Sequence, residues 1–170
     1  MEPAEMFTRS ADLIGRRLNP PSTIRLDHRC LTLLHRSLLA VWPEEGCALL
    51  LGRFEGTASL RLETVWPACN RWGAAEADVP WIVARPAERD RNFLLDPREQ
   101  LAAQRWARSR GQMRIGVAHS HPASNAEPSV VDRQRAEPQQ LMLILGNDGE
   151  IQAWWLGEDR QVRPVLIDVQ

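Results

Sequence analysis

The 170-residue sequence contains no lysine and no tyrosine, so all 21 of its basic residues are arginine. They are balanced by 22 acidic residues, which leaves a formal net charge of −1. Because there is no excess of positive charge, general binding to nucleic acid or to an anionic membrane surface is not expected. Apolar runs are also short, and none reaches the roughly 18 residues that a membrane-spanning helix needs. The sequence therefore predicts neither a nucleic-acid binder nor a membrane protein.

Cysteine is scarce, and its three positions, Cys30, Cys47 and Cys69, lie far apart. There is no Cys-x-x-Cys pair, so neither a disulfide framework nor a cysteine zinc site is predicted. The first residues include Glu2 and Glu5 and lack the apolar segment of a secretory signal peptide. We therefore expect a cytoplasmic protein.

The composition predicts one folded domain, because 44% hydrophobic and 25% charged residues are typical of globular proteins. Residues 1–22 are polar and end in Asn19-Pro20-Pro21-Ser22, so we expect a tail whose composition allows disorder. The domain is expected to span residues 23–170. Within it, small, charged and proline residues over 70–92 predict a long loop, and such loops in compact domains are functional or mobile.

Hydrophobic periodicity predicts three helices and a series of short strands. The helices run from an Asp27 N-cap to about Val41, from Asp96-Pro97 to Gly111, and from Ser129 to about Ala136. The strands are predicted at residues 24–26, 47–54, 59–67, 113–121, 141–145, 151–156 and 162–169. This order predicts an α/β (α+β) fold with a mixed, largely antiparallel sheet covered by helices.

Two histidines follow a buried strand with one residue between them. Side chains at alternate positions of a strand point to the same side, so His119 and His121 should project together, on the face that carries Met113, Ile115 and Val117. Neutral imidazoles placed in this way can share a divalent cation. The alternative is a pair of surface or hydrogen-bonded histidines without a ligand role.

Asp132 follows His119 by 13 residues and strengthens the metal hypothesis. Ser129 can cap a new helix, which places Asp132 in its first turn, where the helix dipole favours a carboxylate. A His-His-Asp set leaves one tetrahedral position open, as catalytic rather than structural zinc sites do. The alternative is that Asp132 serves only the capping box, although that role is compatible with binding metal.

Hydrolysis at such a site also needs a proton acceptor, and two acidic residues precede the buried strand at 47–54. Either Glu44 or Glu45 has a position from which a carboxylate could face the metal site. Taken alone, however, an acidic pair at a helix–strand junction is more often solvated surface.

Together these residues resemble the JAMM (MPN-plus) metalloprotease family, whose pattern is an upstream Glu, His-x-His-Pro and then Ser-x-x-Asp. The segment from Pro43 to Gly52, Asn70, and the helix entry at Phe93 to Pro97 also resemble short bacterial members, so the similarity covers about residues 24–168. The positions that match the pattern are Glu45, His119, Ser120, His121, Pro122, Ser129 and Asp132. The resemblance implies a JAMM/MPN-like sheet of cytidine-deaminase-like architecture.

The resemblance also implies the role of each site residue. One zinc ion would be bound by His119, His121 and Asp132. Glu45 would accept a proton from the attacking water and pass it to the leaving amine. It is preferred to Glu44 because the family places its Glu two residues before a cysteine. Ser129 would hydrogen-bond the oxyanion or the water.

The implied activity is that of a zinc-dependent peptidase or isopeptidase. Its substrate would be an amide bond at or near the C-terminal Gly-Gly of a ubiquitin-like sulfur-carrier protein. The alternative is a non-catalytic MPN-type scaffold, but such members typically lose a ligand or the Glu, and none is lost here. A zinc deaminase would need a Pro-Cys-x-x-Cys ligand pair, which is absent. The loop at 70–92 exceeds that of minimal members, and its Trp72 and Trp81 are candidate flanks of a substrate groove. The alternative is that both tryptophans only pin the loop to the core.

Overall fold

The computed structural model describes residues 19–73 and 88–170. These residues form seven strands and three helices. The strands are β1 (Thr23–Leu26), β2 (Cys47–Glu55), β3 (Ser59–Ala68), β4 (Met113–Ser120), β5 (Gln140–Leu145), β6 (Ile151–Leu156) and β7 (Val162–Val169). The helices are α1 (His28–Leu39), α2 (Pro97–Arg108) and α3 (Val130–Arg135). No helix in this part of the chain has the length and hydropathy of a membrane span.

The strands form one closed sheet in the order β1-β3-β2-β4-β5-β6-β7. Strand β1 closes it by pairing in parallel with both β3 and β7. Strands β4 and β5 are also parallel, whereas the other four pairings are antiparallel. The mixed sheet with few helices is confirmed, but its closure was not predicted. The cytidine-deaminase-like architecture stays a prediction.

Local capping positions the two longer helices as the sequence predicts. Asp27 accepts a hydrogen bond from the Cys30 amide (2.7 Å) at the start of α1. Asp96 accepts one from the Arg98 amide (2.8 Å) at the start of α2, with Pro97 as its first residue. These caps satisfy amides that have no partner within the helix.

Two apolar clusters occupy the two faces of the sheet. All seven strands contribute to the first cluster, against which α1 packs Leu34 and Leu38. The second lies on the opposite face of β2, β4 and β5, where α2 packs Ala103 and Ala107. Strand β5 is buried along its whole length, because its alternate residues face the two clusters.

A β-bulge in β4 changes which side chains accompany the histidines. Leu50 pairs with Gly116, but the next residue of β2, Leu51, pairs with Arg114, so Ile115 is an extra residue. Ile115 packs in the first cluster and Val117 in the second. The prediction that Met113 and Ile115 share a face with Val117 and the histidines was therefore wrong. The extra residue in the bulge reverses the alternation of side chains on its N-terminal side.

Some predictions fall on residues that the structure does not describe. Most of the predicted tail (1–18), the middle of the predicted loop (74–87) and Trp81 lie outside the described residues. The described end of the tail contacts the sheet: the Ser22 amide donates to the Ala58 carbonyl oxygen (2.8 Å), and the Ser22 carbonyl oxygen accepts from the Leu166 amide (2.9 Å).

Candidate metal centre

The two histidines meet at the end of β4. His119 is fully buried and His121 is 5% exposed, and their Nε2 atoms lie 3.1 Å apart. The predicted projection to one side is thereby confirmed. The ring of Phe93 stacks on that of His119, with centroids 4.6 Å apart, so one side of the pair is covered by an aromatic ring.

Helix α3 brings Asp132 to the same point. Ser129 and Asp132 form a capping box, in which the Ser129 Oγ accepts from the Asp132 amide (3.1 Å) and the Asp132 Oδ2 accepts from the Ser129 amide (2.7 Å). The carboxylate also contacts the histidines: Oδ1 lies 3.2 Å from Nε2 of His119 and Oδ2 3.3 Å from Nε2 of His121. Asp132 therefore completes the capping box of α3 and also contacts both histidines.

The three side chains fit a small divalent cation. Their candidate ligand atoms lie within 4.8 Å of one another, and tetrahedral ligands about 2 Å from a zinc ion stand roughly 3.3 Å apart. His121 Nδ1 lies 2.9 Å from the Asn125 carbonyl oxygen. Because a carbonyl only accepts, Nδ1 carries a proton, and in the neutral ring Nε2 then has the lone pair that a metal needs. His119 Nδ1 is buried without a hydrogen-bond partner among the described residues.

Burial and hydrogen bonds within the group shift the pKa of each of its three members. Burial lowers the pKa of His119. Burial also acts to lower the pKa of His121, but hydrogen bonds to Asp132 and Asn125 raise it overall. Burial acts to raise the pKa of Asp132, whereas hydrogen bonds from the two histidines hold it far below its usual value. Asp132 is therefore a carboxylate at neutral pH.

Glu45 lies beside this group, and its neighbour Glu44 does not. Cys47 pairs antiparallel with His119, so the residue two positions before Cys47 comes level with His121. Glu45 is only 4% exposed. Burial raises its pKa to about 8, while the charge of His121 acts to lower it and that of Asp132 to raise it. The Glu44 side chain is 43% exposed and forms an ion pair with Arg89 (3.6 Å).

Ser129 presents its hydroxyl at the exposed edge of the site. Its Oγ accepts the Asp132 amide hydrogen, and a side-chain hydrogen bond from Ser129 also helps to hold the pKa of Asp132 low. A serine hydroxyl hydrogen rotates to suit its partners, so the same group can also turn toward a ligand.

Asn70 connects the segments around the site, a role that its place in the sequence did not reveal. Its Nδ2 donates to the carbonyl oxygens of Glu45 (3.0 Å) and Asn92 (2.9 Å). Its Oδ1 accepts from the amides of Trp72 (2.9 Å) and Leu94 (3.2 Å). All four partners are backbone groups, so Asn70 fixes Glu45 relative to the segment that carries Phe93.

Ser120, between the two histidines, points away from them. Its Oγ accepts from the Gly46 amide (2.8 Å) and donates to the Leu38 carbonyl oxygen (3.2 Å). A Cβ on Gly46 would lie 2.3 Å from the same oxygen, so the residue after Glu45 must be glycine for this approach. Ser120 thus joins the end of α1 to the Glu45 segment.

Trp72 is the described member of the tryptophan pair that the sequence offered as groove flanks. It is 2% exposed, and the Arg135 guanidinium covers its ring at 4.4 Å from the centroid. Arg135 also donates to Asn92 Oδ1 (3.3 Å). Trp72 therefore helps to hold the loop against α3, and its ring lines a cavity beside His119.

Known proteins are similar to this chain in sequence and in fold. A curated desampylase from Haloferax volcanii is 36% identical over 78 residues, which are 45% of this chain and 56% of the relative. The chain thus spans about half the length of that relative. Two solution structures are similar in fold. A protein from Desulfitobacterium hafniense has 26% identity and a TM-score of 0.69, covering 87% of this chain and 93% of its own. One from Salinibacter ruber has 25% identity and a TM-score of 0.59, covering 85% and 91%.

The family model for prokaryotic homologues of the JAB domain, Prok-JAB, matches residues 27–157. This range contains Glu45, both histidines, Ser129 and Asp132, and it is well over half of the chain. The protein therefore belongs to the prokaryotic JAB-domain family and is a short prokaryotic member of the JAMM group.

Proposed function

We propose that this protein is a zinc-dependent isopeptidase or peptidase that hydrolyses an amide bond at or near the C-terminal Gly-Gly of a ubiquitin-like protein of the sulfur-carrier type. The observation that carries the proposal is the buried His119–His121–Asp132 group with the buried Glu45 carboxyl next to it. The similarity to a desampylase supports a hydrolase that acts on a ubiquitin-like modifier.

Zinc would be held by Nε2 of each histidine and by the Asp132 carboxylate. The fit rests on the spacing of these atoms and on the proton that the Asn125 carbonyl oxygen keeps on Nδ1 of His121. Two neutral imidazoles and one carboxylate are a donor set that suits zinc. A zinc ion bound there would act as a Lewis acid, polarising the amide carbonyl and making water a better nucleophile.

Glu45 holds and moves the proton. Its pKa of about 8 without metal is caused mainly by burial, and a positive charge nearby lowers a carboxyl pKa. A general base works best with a pKa near the operating pH, so that it can accept the proton of water and return it to the leaving amine. Ser129 would donate its hydroxyl hydrogen to the carbonyl oxygen as negative charge develops.

The substrate is expected to present an extended, glycine-rich tail. The site lies at the end of β4, between α3 and the segment that carries Phe93, so the approaching chain has to be narrow. Glycine next to the cleaved bond avoids side-chain clashes.

The test uses zinc-loaded protein and a sulfur-carrier protein joined through its Gly-Gly end to a peptide amine. Glu45→Gln should lower kcat/KM by roughly 10²–10⁴-fold, since only the proton acceptor is removed. Glu44→Gln is the matched control and should leave kcat/KM close to wild type, because its carboxylate contacts Arg89 at the surface.

Two results would contradict the proposal. If Glu45→Gln cleaves the conjugate as fast as wild type, Glu45 is not the proton acceptor. If zinc-loaded wild type cleaves no Gly-Gly conjugate, the activity itself is wrong. A conjugate ending in Ala-Val instead of Gly-Gly completes the set, and equal kcat/KM for both would refute the narrow approach.

A further inference from the structure

Helix α3 carries Asp132 to the metal centre, yet none of its six residues is buried. Its two valines, Val130 and Val131, are 58% and 36% exposed. Helix formation has a costly nucleus, so isolated helices shorter than about 12–15 residues are marginal in water. Because α3 is short and buries little apolar surface, polar contacts with the rest of the chain have to hold it in place.

Arg160, in the turn between β6 and β7, supplies such contacts at the C-terminal end of α3. One terminal nitrogen of its guanidinium lies 2.7 Å from the Ala136 carbonyl oxygen, 3.1 Å from that of Arg133 and 3.3 Å from that of Gln134. The last carbonyl groups of a helix have no amide partner within it, and a basic side chain can bind them. Arg160 therefore caps α3 from a position 24 residues beyond Ala136.

The backbone of Arg160 indicates that its side chain, rather than the turn, requires an arginine here. Its φ is 61°, in the left-handed region that glycine and asparagine favour. The turn is closed by backbone hydrogen bonds from the Gly157 amide to Gln161 (2.9 Å) and from the Arg160 amide to Gly157 (3.1 Å). An arginine in this conformation costs conformational free energy that glycine would avoid, and the contacts with α3 offset that cost.

Backbone and side-chain contacts connect this cap to the metal centre. Ala136, whose carbonyl oxygen is closest to the guanidinium, donates its own amide to the Asp132 carbonyl oxygen (2.9 Å). The Asp132 side chain contacts both histidines, and the Asp132 amide donates to Ser129 Oγ. About one helical turn thus separates the capped end from the carboxylate, so a shift of that end moves Asp132 and Ser129 with it.

We propose that Arg160 is a positioning residue, which holds α3 so that the Asp132 carboxylate and the Ser129 hydroxyl stay at the two histidines. Arg160 acts only through the backbone of α3, and it takes no part in the chemistry itself. Its effect on hydrolysis rests on the proposed function, whereas its effects on α3 and on metal affinity do not depend on any substrate.

Zinc affinity, measured by competition with a metal buffer, is the first test. Arg160→Asn removes the guanidinium, and asparagine tolerates the left-handed conformation but is too short to reach α3. We expect the zinc Kd to rise about tenfold, as for residues that orient metal ligands, with the thermal midpoint of the metal-free protein close to wild type. Arg160→Lys keeps a long cationic donor and should restore the Kd to within about threefold of wild type.

Arg163→Met is the matched control. It removes a guanidinium that contacts Asp159 of the same turn (2.9 Å), whereas the guanidinium of Arg160 contacts α3. Its zinc Kd should stay within about twofold of wild type, since exposed ion pairs contribute little to stability.

Amide hydrogen exchange of the metal-free protein tests the hold on α3 without zinc. The amides of Arg133 and Ala136 donate to the carbonyl oxygens of Ser129 (3.2 Å) and Asp132 (2.9 Å). In Arg160→Asn we expect them to exchange at least fivefold faster, because local opening of α3 becomes easier. The amide of Leu143, in the buried strand β5, should keep its wild-type rate.

The outcomes separate positioning from general stability and from the activity. Wild-type zinc Kd or wild-type exchange of α3 in Arg160→Asn overturns the proposal. So does an equal loss of thermal stability in the Asn and Lys variants with faster exchange at Leu143, which would show that Arg160 stabilises the whole fold. Weaker zinc binding and faster exchange of α3, in a protein whose wild type cleaves no Gly-Gly conjugate, would refute the proposed function and leave the positioning role standing.

Discussion

Replacing Asn70 by Asp tests how the segments around the metal centre are held together. The substitution keeps the shape and the acceptor oxygen, but it replaces the Nδ2 donor by an oxygen. That oxygen would face the carbonyl oxygens of Glu45 and Asn92, which the donor now contacts at 3.0 and 2.9 Å. Two carbonyl groups lose their partner, and each loss costs roughly 1–3 kcal/mol.

We therefore expect Asn70→Asp to reduce the free energy of unfolding by roughly 2–6 kcal/mol, a sum of two such losses. With a urea m-value of about 2 kcal/mol per molar, the midpoint of unfolding would fall by about 1–3 M. Urea titration of zinc-loaded protein, followed by tryptophan fluorescence, measures this shift. Because the Glu45 backbone loses an anchor, kcat/KM should fall as well.

Asn147→Asp is the matched control, since Asn147 is exposed in the turn between β5 and β6. The free energy of unfolding of Asn147→Asp should stay within about 0.5 kcal/mol of wild type, as for most surface substitutions. If Asn70→Asp unfolds at the same urea concentration as the control, the four contacts of Asn70 do not stabilise the site and the reasoning is refuted.

Three further predictions concern the metal, the packing and the pH dependence. His119→Ala should reduce bound zinc from about one per chain to a small fraction, measured by elemental analysis, and full occupancy would refute its role as a ligand. Gly46→Ala should lower the free energy of unfolding by roughly 1–3 kcal/mol, because its Cβ would lie 2.3 Å from the Leu38 carbonyl oxygen. An unchanged thermal midpoint would contradict this. In metal-stripped protein, the pKa of Glu45 is raised from 4.5 to about 8 on folding. The unfolded chain then releases this proton first, so wild type should lose stability relative to Glu45→Gln as pH rises through this window. The slope is at most about 1.4 kcal/mol per pH unit, and parallel stability curves would refute it.

Local sequence predicted most of the elements and the three members of the His119–His121–Asp132 group. Asp27 and Asp96 cap their helices as expected, because a cap depends on residues only two or three positions apart. The alternation of strand residues placed His119 and His121 together. The spacing of Ser129 and Asp132 predicted the capping box that presents the carboxylate. Each of these features follows from the geometry of one short segment.

Which of the two acidic residues lies at the site depends on contacts between segments that are distant in sequence. Glu44 and Glu45 are equivalent in local sequence, and only the family resemblance separated them. In the structure, the pairing of Cys47 with His119 and the contacts of Asn70 bury Glu45 next to the histidines. Glu44 is left at the surface with Arg89. The difference arises from residues that are distant in sequence.

The amino-acid sequence by itself determined the order of the helices and strands, their caps and the same-side placement of the two histidines. Only the tertiary structure decided the closure of the sheet by β1, the bulge at Ile115 and the four contacts of Asn70. Caps and alternation arise from hydrogen bonds and side-chain directions within a few residues. Closure, bulges and cavities depend on which distant strands pair and in which register, and no short segment contains that information.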